Sequence, residues 1–287
     1  MTLGLSHLFD PDQTLTFMGS MVTVTGLYQP VQIPKSCSAV YVHLLAGGGA
    51  GGAGFSRAAN NPGGGGAGGG AGGQIIQIIP RILLPDTLYL SIGKGGPSSV
   101  NTALHVFPNT DGRYQIGSCV AGGTGGAGSA SGGGTGVVVT GTASFGSSRG
   151  MIESTNAVTM SASNVGGAHT GANGTNQSTR VVRTTLGASG AGCNSSTNFS
   201  GGSVTGNSPY VPDVIGGVSA GEAGGNGSFT MQPFMTTGGA GGASNNSGVG
   251  GRGGDGGFGS GGGGGGAGTT GGAGGAGGSS FAMFVWL

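Results

Sequence analysis

Charge is what this sequence has least of. Asp, Glu, Lys and Arg make up only 6% of its 287 residues, 9 basic against 8 acidic, for a formal net charge of +1. With no basic run to neutralise phosphates or hold an anionic bilayer, neither a nucleic-acid partner nor membrane insertion is expected. No stretch approaches the roughly 20 apolar residues of a membrane span. The opening MTLGLSHLFDPDQ lacks a basic start followed by a sustained apolar run, so it does not read as a secretory signal. The expectation is a product made and kept in a cytosol until something releases it. Cys37, Cys119 and Cys193 are odd in number and widely spaced, which suits free thiols better than a disulfide framework or a zinc site. His7, His43, His105 and His169 are far apart with no H-x-x-x-H spacing, so no metal and no cofactor is expected.

What the chain has instead is glycine: 76 Gly with 11 Pro, about 30% of the residues. That level suggests low complexity, but disordered chains usually combine low hydrophobicity with high net charge, and a chain this uncharged collapses. The glycines are also periodic. Ala50 and Ala53 are three apart, as are Ala121, Thr124, Ala127 and Ala130. Val249, Arg252, Asp255 and Phe258 are three apart, the last three each after a Gly pair, and Ala267, Thr270, Ala273, Ala276 and Ser279 keep the phase through the last tract. Residues 63–73 break the rule, since Ala67 and Ala71 are four apart.

A G-G-X repeat matches an extended left-handed helix with three residues per turn and about 3.1 Å rise. Collagen shares that period but needs Pro or hydroxyproline at about 15 to 20%, which these tracts lack. The remaining option is polyglycine II. Two edges of such a helix carry only hydrogen, so neighbouring backbones can approach and exchange the hydrogen bonds that the helix cannot make internally. The X residues line the third edge. Ordering so much glycine is entropically expensive, so the tracts need each other or a support.

Alternating segments supply that support. Val40, Val42 and Leu44 alternate with Tyr41, His43 and Leu45 before GGGAGGAG; Leu88, Leu90 and Ile92 alternate before GKGG; and FAMFVWL at 281–287 looks buried on both faces. VTVTG at 22–26, QIIQII at 74–79 and VVVTGT at 137–142 are further candidates. The expected fold is all-β, a jelly-roll-like β-sandwich with inserted tracts packed as polyglycine II helices. Residues 1–20 are expected to form an attachment segment. Residues 21–287 form one domain, with strands mainly from 21–96 and 279–287 and with tracts and loops over 97–278.

The junctions IPKSCSAVYVHLLAGGGAGGAG, TLYLSIGKGG and GGAGGAGGSSFAMFVWL resemble glycine-rich proteins of tailed-bacteriophage tails and tail fibres. The distal part is similar to tail-fibre tip adhesins of T-even-like phages. The match is best over 21–96 and 238–287 and rests on alternating tracts and loops elsewhere. The resemblance implies a structural virion protein at a tail fibre or tip, assembled in the host cytoplasm. Its partners would be other virion proteins and a bacterial surface receptor, and it would act as a homo-oligomer or on a trimeric fibre. The alternatives are a head fibre or capsid decoration protein and, from another class, an ice-binding polyglycine II protein.

Segments between tracts are where contact residues are sought, because binding concentrates on turns carried by rigid structure. Phe55, Arg57, Asn60, Phe199, Tyr210 and Phe234 are candidates for receptor binding, since aromatic and Arg side chains anchor interfaces; the competing reading packs each aromatic against its own loop or the sandwich. Leu3, Leu5, Leu8 and Phe9 are candidates for virion attachment. GVSAG around Ser219 nominally matches a nucleophile elbow, but GEAGGNG cannot supply the helix that must follow, so an enzyme is not expected. Lys94 in IGKGG lacks P-loop spacing. Arg252 and Asp255 share a tract edge and either pair or face solvent. Asn194 and Asn198 sit in glycosylation-type triplets, read as incidental.

Overall fold

The computed structural model describes residues 14–18, 28–93, 95–96, 101–108, 114–136, 143–145, 171–178, 184–205, 211–231 and 234–287. Leu3, Leu5, Leu8, Phe9, Lys94 and Tyr210 lie outside them, as do the candidate strands at 22–26 and 137–142. The chain is nearly all β with almost no helix, as its alternating segments predict. In the first sheet, β1 (Thr14–Met18), β13 (Phe281–Trp286), β3 (Ala39–Leu45) and β4 (Gln74–Pro80) lie side by side in that order, every pair antiparallel. The second sheet runs β2 (Tyr28–Gln32), β5 (Thr87–Ser91), β6 (Thr102–His105), β7 (Gln115–Cys119) and β8 (Ala143–Phe145), again antiparallel. Two short pairs are separate: β9 (Gln177–Ser178) with β10 (Val204–Thr205), and β11 (Phe229–Met231) with β12 (Phe234–Thr236).

Alternation decides which side chains meet. Successive residues of a strand point to opposite faces. Val40, Val42 and Leu44 of β3 and Ala282 and Phe284 of β13 therefore share one apolar cluster with Leu88 and Leu90 of β5 and Leu104 of β6. The intervening residues Leu45, Phe281, Met283 and Val285 pack on the other face with Phe234. Phe281 and Phe284 are both 0% exposed, so β13 is buried on both faces, and Trp286 is half-buried at its end. His43 is a strand residue, as its alternation implies. It is buried with its Nε2 2.6 Å from Gln74 Nε2 and edge-on to Phe234. Burial pushes the Cys119 thiol well up.

Strands also occur where the sequence did not point to them. β1 lies inside the segment assigned to attachment, and β6, β7 and β8 lie inside the range assigned to tracts and loops. TALH and QIGSC carry polar, Gly and Cys residues that blur the two-residue period. Their pairing partners, Tyr89–Ser91 for β6 and Thr102–His105 for β7, decide the conformation.

The glycine tracts continue the first sheet. β3 pairs Leu45 with Phe281, and beyond it Gly48, Gly51 and Gly54 donate to Gly278, Gly275 and Gly272, each at 2.9 Å. Toward β4, Gly49 and Gly52 donate to Gly70 and Ala67. The direction is kept while the bonded spacing changes from a strand ladder to every third residue.

A loop end held by glycine tracts

Residues 261–266 are six consecutive glycines and form the most enclosed tract. Gly261 and Gly264 donate to Thr185 and Ala188, Gly262 and Gly265 to Gly49 and Gly52, and Gly263 and Gly266 to Gly254 and Gly251. Their carbonyls accept from Gly239 and Gly242, from Gly69 and Gly66, and from Gly275 and Gly272. The tract thus bonds to three neighbours through its N–H groups and to three others through its carbonyls. A Cβ at any of the six would lie 2.0 to 2.2 Å from a neighbouring carbonyl oxygen, which leaves no room for a side chain at the X position of this tract. On outer tracts the X residues Ala53, Thr124, Ala127, Arg252, Ala273 and Ala276 face solvent. Ala67, Ala188, Ala191, Ala240 and Ala243 are buried between tracts. Arg252 and Asp255 pair, Nη2 to Oδ1 at 2.5 Å, and Asp255 Oδ1 also accepts from the N–H of Ala276 at 2.7 Å.

Tract 47–54 leaves β3 and tract 63–73 returns to β4, so the intervening 55–62 lies at the end away from the sheets. Reciprocal bonds between Gly63 and Cys193 bring 193–199 to that end; Gly268 N–H to Phe55 and Asn245 N–H to Ala267 bring 268–270 and 245–248.

Arg57 holds these loops together. The residue is only 8% exposed. Nε donates to Cys193 Sγ at 2.9 Å, Nη1 to the Ala58 carbonyl at 3.0 Å, and Nη2 to Asn246 Oδ1 at 3.0 Å. Asn246 in turn donates through Nδ2 to Asn60 Oδ1 and to the Ser195 carbonyl, while its N–H donates to Asn198 Oδ1. Asn60 has a φ of 61°, a left-handed conformation that asparagine tolerates better than most residues. Asn194 Oδ1 accepts from the N–H groups of Ser196 and Thr197, an Asx turn. Burial pushes the Cys193 thiol up, with the Arg57 guanidinium opposing the shift.

Four of the candidate contact residues, Phe55, Arg57, Asn60 and Phe199, therefore gather at the loop end. Arg57 is turned inward as a tie between loops. Phe55 and Phe199 are half-buried, and the Phe199 ring fills the space beside Gly171. Phe234 is elsewhere: 9% exposed, stacked on Phe281 at 5.0 Å, it belongs to the sheet core. The reason is local, since β12 carries it against β13 and glycine offers no other apolar filling there. Sequence reasoning missed Asn246 and Cys193 as organising residues. The run of Asn and Ser beside the tracts marked turns but could not show that separate turns meet.

Ser219 lies in a turn closed by Glu222, whose Oε2 accepts from the N–H groups of Val218 and Ser219 and from Ser219 Oγ. Those backbone N–H groups hold the Glu222 carboxyl below its usual range. No helix follows this turn in residues 221–231, so it is not a nucleophile elbow. Among the described residues no three His, Cys, Asp or Glu side chains gather as metal ligands, and no helix is long and apolar enough to cross a membrane.

The loops 55–62 and 193–199 expose uncharged residues, Ala58, Ala59, Asn60, Asn61 and Pro62 from one and Ser195, Ser196, Thr197 and Asn198 from the other, while the adjoining turn 218–222, bonded through the Gly221 N–H to the Ser244 carbonyl, exposes Glu222. The uncharged part of this surface can exchange hydrogen bonds with a partner at small desolvation cost because no charge there must be stripped of water. No protein-family model matches the chain, and no curated protein matches it.

Proposed function

We propose that this chain is a non-enzymatic structural protein of a tailed-bacteriophage particle, part of a tail fibre or tail tip, whose loop end contacts the bacterial surface. The observation that carries the reading is the convergence of 55–62, 193–199 and 245–248 at the end of a backbone-bonded bundle, tied by Arg57 and Asn246. Loops fixed before contact lose little conformational entropy on binding, so a modest polar surface suffices.

The finer architecture belongs to the same proposal. The tracts are polyglycine II helices in a hexagonal bundle, supported by bonding at every third residue and by six bonded neighbours around 261–266. The two larger sheets form a sandwich, supported by the apolar cluster to which both contribute. Residues 1–20, with Leu3, Leu5, Leu8 and Phe9, mount the chain on other virion proteins, as a homo-oligomer or on a trimeric fibre.

Electron microscopy of particles labelled with an antibody to this chain is expected to place label at the tail, and the purified chain is expected to compete with particles for host adsorption. Label on the head assigns the chain to a head fibre or capsid decoration instead, and particles without label end the virion reading. One observation favours ice binding as a second reading: adjoining tracts 271–279, 47–54 and 121–128 expose Ala273, Ala276, Ala53, Thr124 and Ala127 along one side. Thermal hysteresis in a solution of the chain would favour it over host contact.

A further inference from the structure

The outer face of the second sheet carries aromatic and uncharged polar side chains that the core does not use. Val31, Leu88, Leu90 and Leu104 point into the apolar cluster, so the residues between them point the other way. Register then sets them in rows across the strands. Tyr89, His105 and Gln115 lie side by side across β5, β6 and β7, flanked by Tyr28 with Ser91 on one side and by Gln32 with Thr87 on the other. None of these positions is Asp, Glu, Lys or Arg.

His105 forms the floor of this face. It is only 5% exposed, its Nδ1 has no hydrogen-bond partner, and the Tyr28 ring stands edge-on to it at 5.2 Å. Buried polar atoms are nearly always paired, so an unpaired one among half-buried aromatic side chains marks a place for an incoming partner. Thr87 Oγ1 donates to Gln32 Oε1 at 3.0 Å, which leaves the N–H groups of the exposed Gln32 amide for another acceptor. At the margin of the face, two residues beyond His105, Phe107 is 58% exposed and edge-on to Tyr114 at 5.3 Å.

We propose that this face binds a neutral saccharide. A sugar ring has an apolar C–H side, which packs on an aromatic ring, and hydroxyls at its rim that both donate and accept. Tyr28, Tyr89 and Phe107 supply the rings, Gln32 and Gln115 supply amides, and a sugar hydroxyl pairs with His105 Nδ1. A phosphorylated ligand would need cations that these rows lack, whereas an uncharged one leaves water at small cost. The site is separate from the loop end at 55–62 and does not rest on host contact there.

The full chain, passed over an array of neutral oligosaccharides of glucose, galactose and N-acetylglucosamine, is expected to bind at least one of them. Tyr89→Ala is expected to weaken that binding about ten-fold through loss of a stacked ring. Gln32→Ala is expected to weaken it about three-fold through loss of a hydrogen bond, and it decides the matter if Tyr89→Ala does not fold, because Gln32 is already exposed. Saturating sugar is expected to shift the Nδ1 resonance of His105, a change that a purely structural histidine would not show. Failure of every neutral oligosaccharide to bind overturns the proposal. Binding that survives both variants overturns it too, and its loss in Arg57→Ala would then assign the sugar to the loop end. Self-association that disappears in Tyr89→Ala also overturns it, because the face is then covered by a second copy.

Discussion

The N–H of Gly48 donates to the carbonyl of Gly278 at 2.9 Å, in the antiparallel register that pairs Leu45 with Phe281 three residues earlier. The sheet thereby aligns two tracts whose side chains, Ala50 and Ala53 on one and Ala273, Ala276 and Ser279 on the other, are too small to fix a register. Gly-rich segments are prone to slip, whereas a strand with buried faces is not.

That dependence predicts the effect of Phe281→Ala. Phe281 is fully buried among Leu45, Phe234 and His43. Its truncation is expected to cost about 3 to 5 kcal/mol in denaturant unfolding. Amide exchange at Gly275 and Gly278 should accelerate together with that of β13. Protection retained in the tract after β13 has loosened would show that the tracts hold their own register.

The enclosed tract is expected to tolerate no side chain. In Gly264→Ala the new Cβ would sit 2.1 Å from the Gly66 carbonyl oxygen. Alanine's lower unfolded-state entropy favours folding by about 0.4 to 1 kcal/mol. Overpacking against backbone costs about 1 to 3 kcal/mol or more, so the clash prevails. Ala273→Ser on the exposed edge is expected to stay within about 0.5 kcal/mol, and thermal unfolding of the two variants compares them.

Arg57→Ala is expected to loosen the loop end without melting the sheets. It removes the donors to Cys193, Ala58 and Asn246 and leaves a void beside Gly63, at a cost of about 1 to 3 kcal/mol. Hydrogen exchange should rise over 58–61 and 245–247 while β3, β4 and β13 are unaffected. Arg57→Lys is expected to fall short of rescue, because one ammonium cannot reach partners that a planar guanidinium spans.

Burial holds the His105 imidazole below its ordinary pKa, against the edge of the Tyr28 ring. The unfolded chain then takes up its proton first. The associated stability is fully present above pH 6.5, the unfolded value, and is lost as pH falls from there toward the depressed folded value. Chemical denaturation between pH 7.5 and pH 5 should show a smaller loss for His105→Gln than for the native chain. Equal losses in both would remove His105 as the cause.

The sequence by itself determined the all-β class, the strands at β3, β4, β5 and β13, and the three-residue phase of the tracts. These are local properties: alternation marks a face, and a repeated Gly pair marks two edges without side chains. It also identified 55–62 and 193–199 as turns between tracts. Only the tertiary structure decided that β1, β6 and β7 are strands, because short polar segments such as QIGSC adopt that form through their partners. Likewise, Phe234 fills the sheet core while Arg57 is drawn inward by Cys193 and Asn246, residues 136 and 189 positions away. A glycine tract specifies how closely a neighbour can approach but not which neighbour it is. That choice belongs to the ladders that set the register and to the loops that lock the far end.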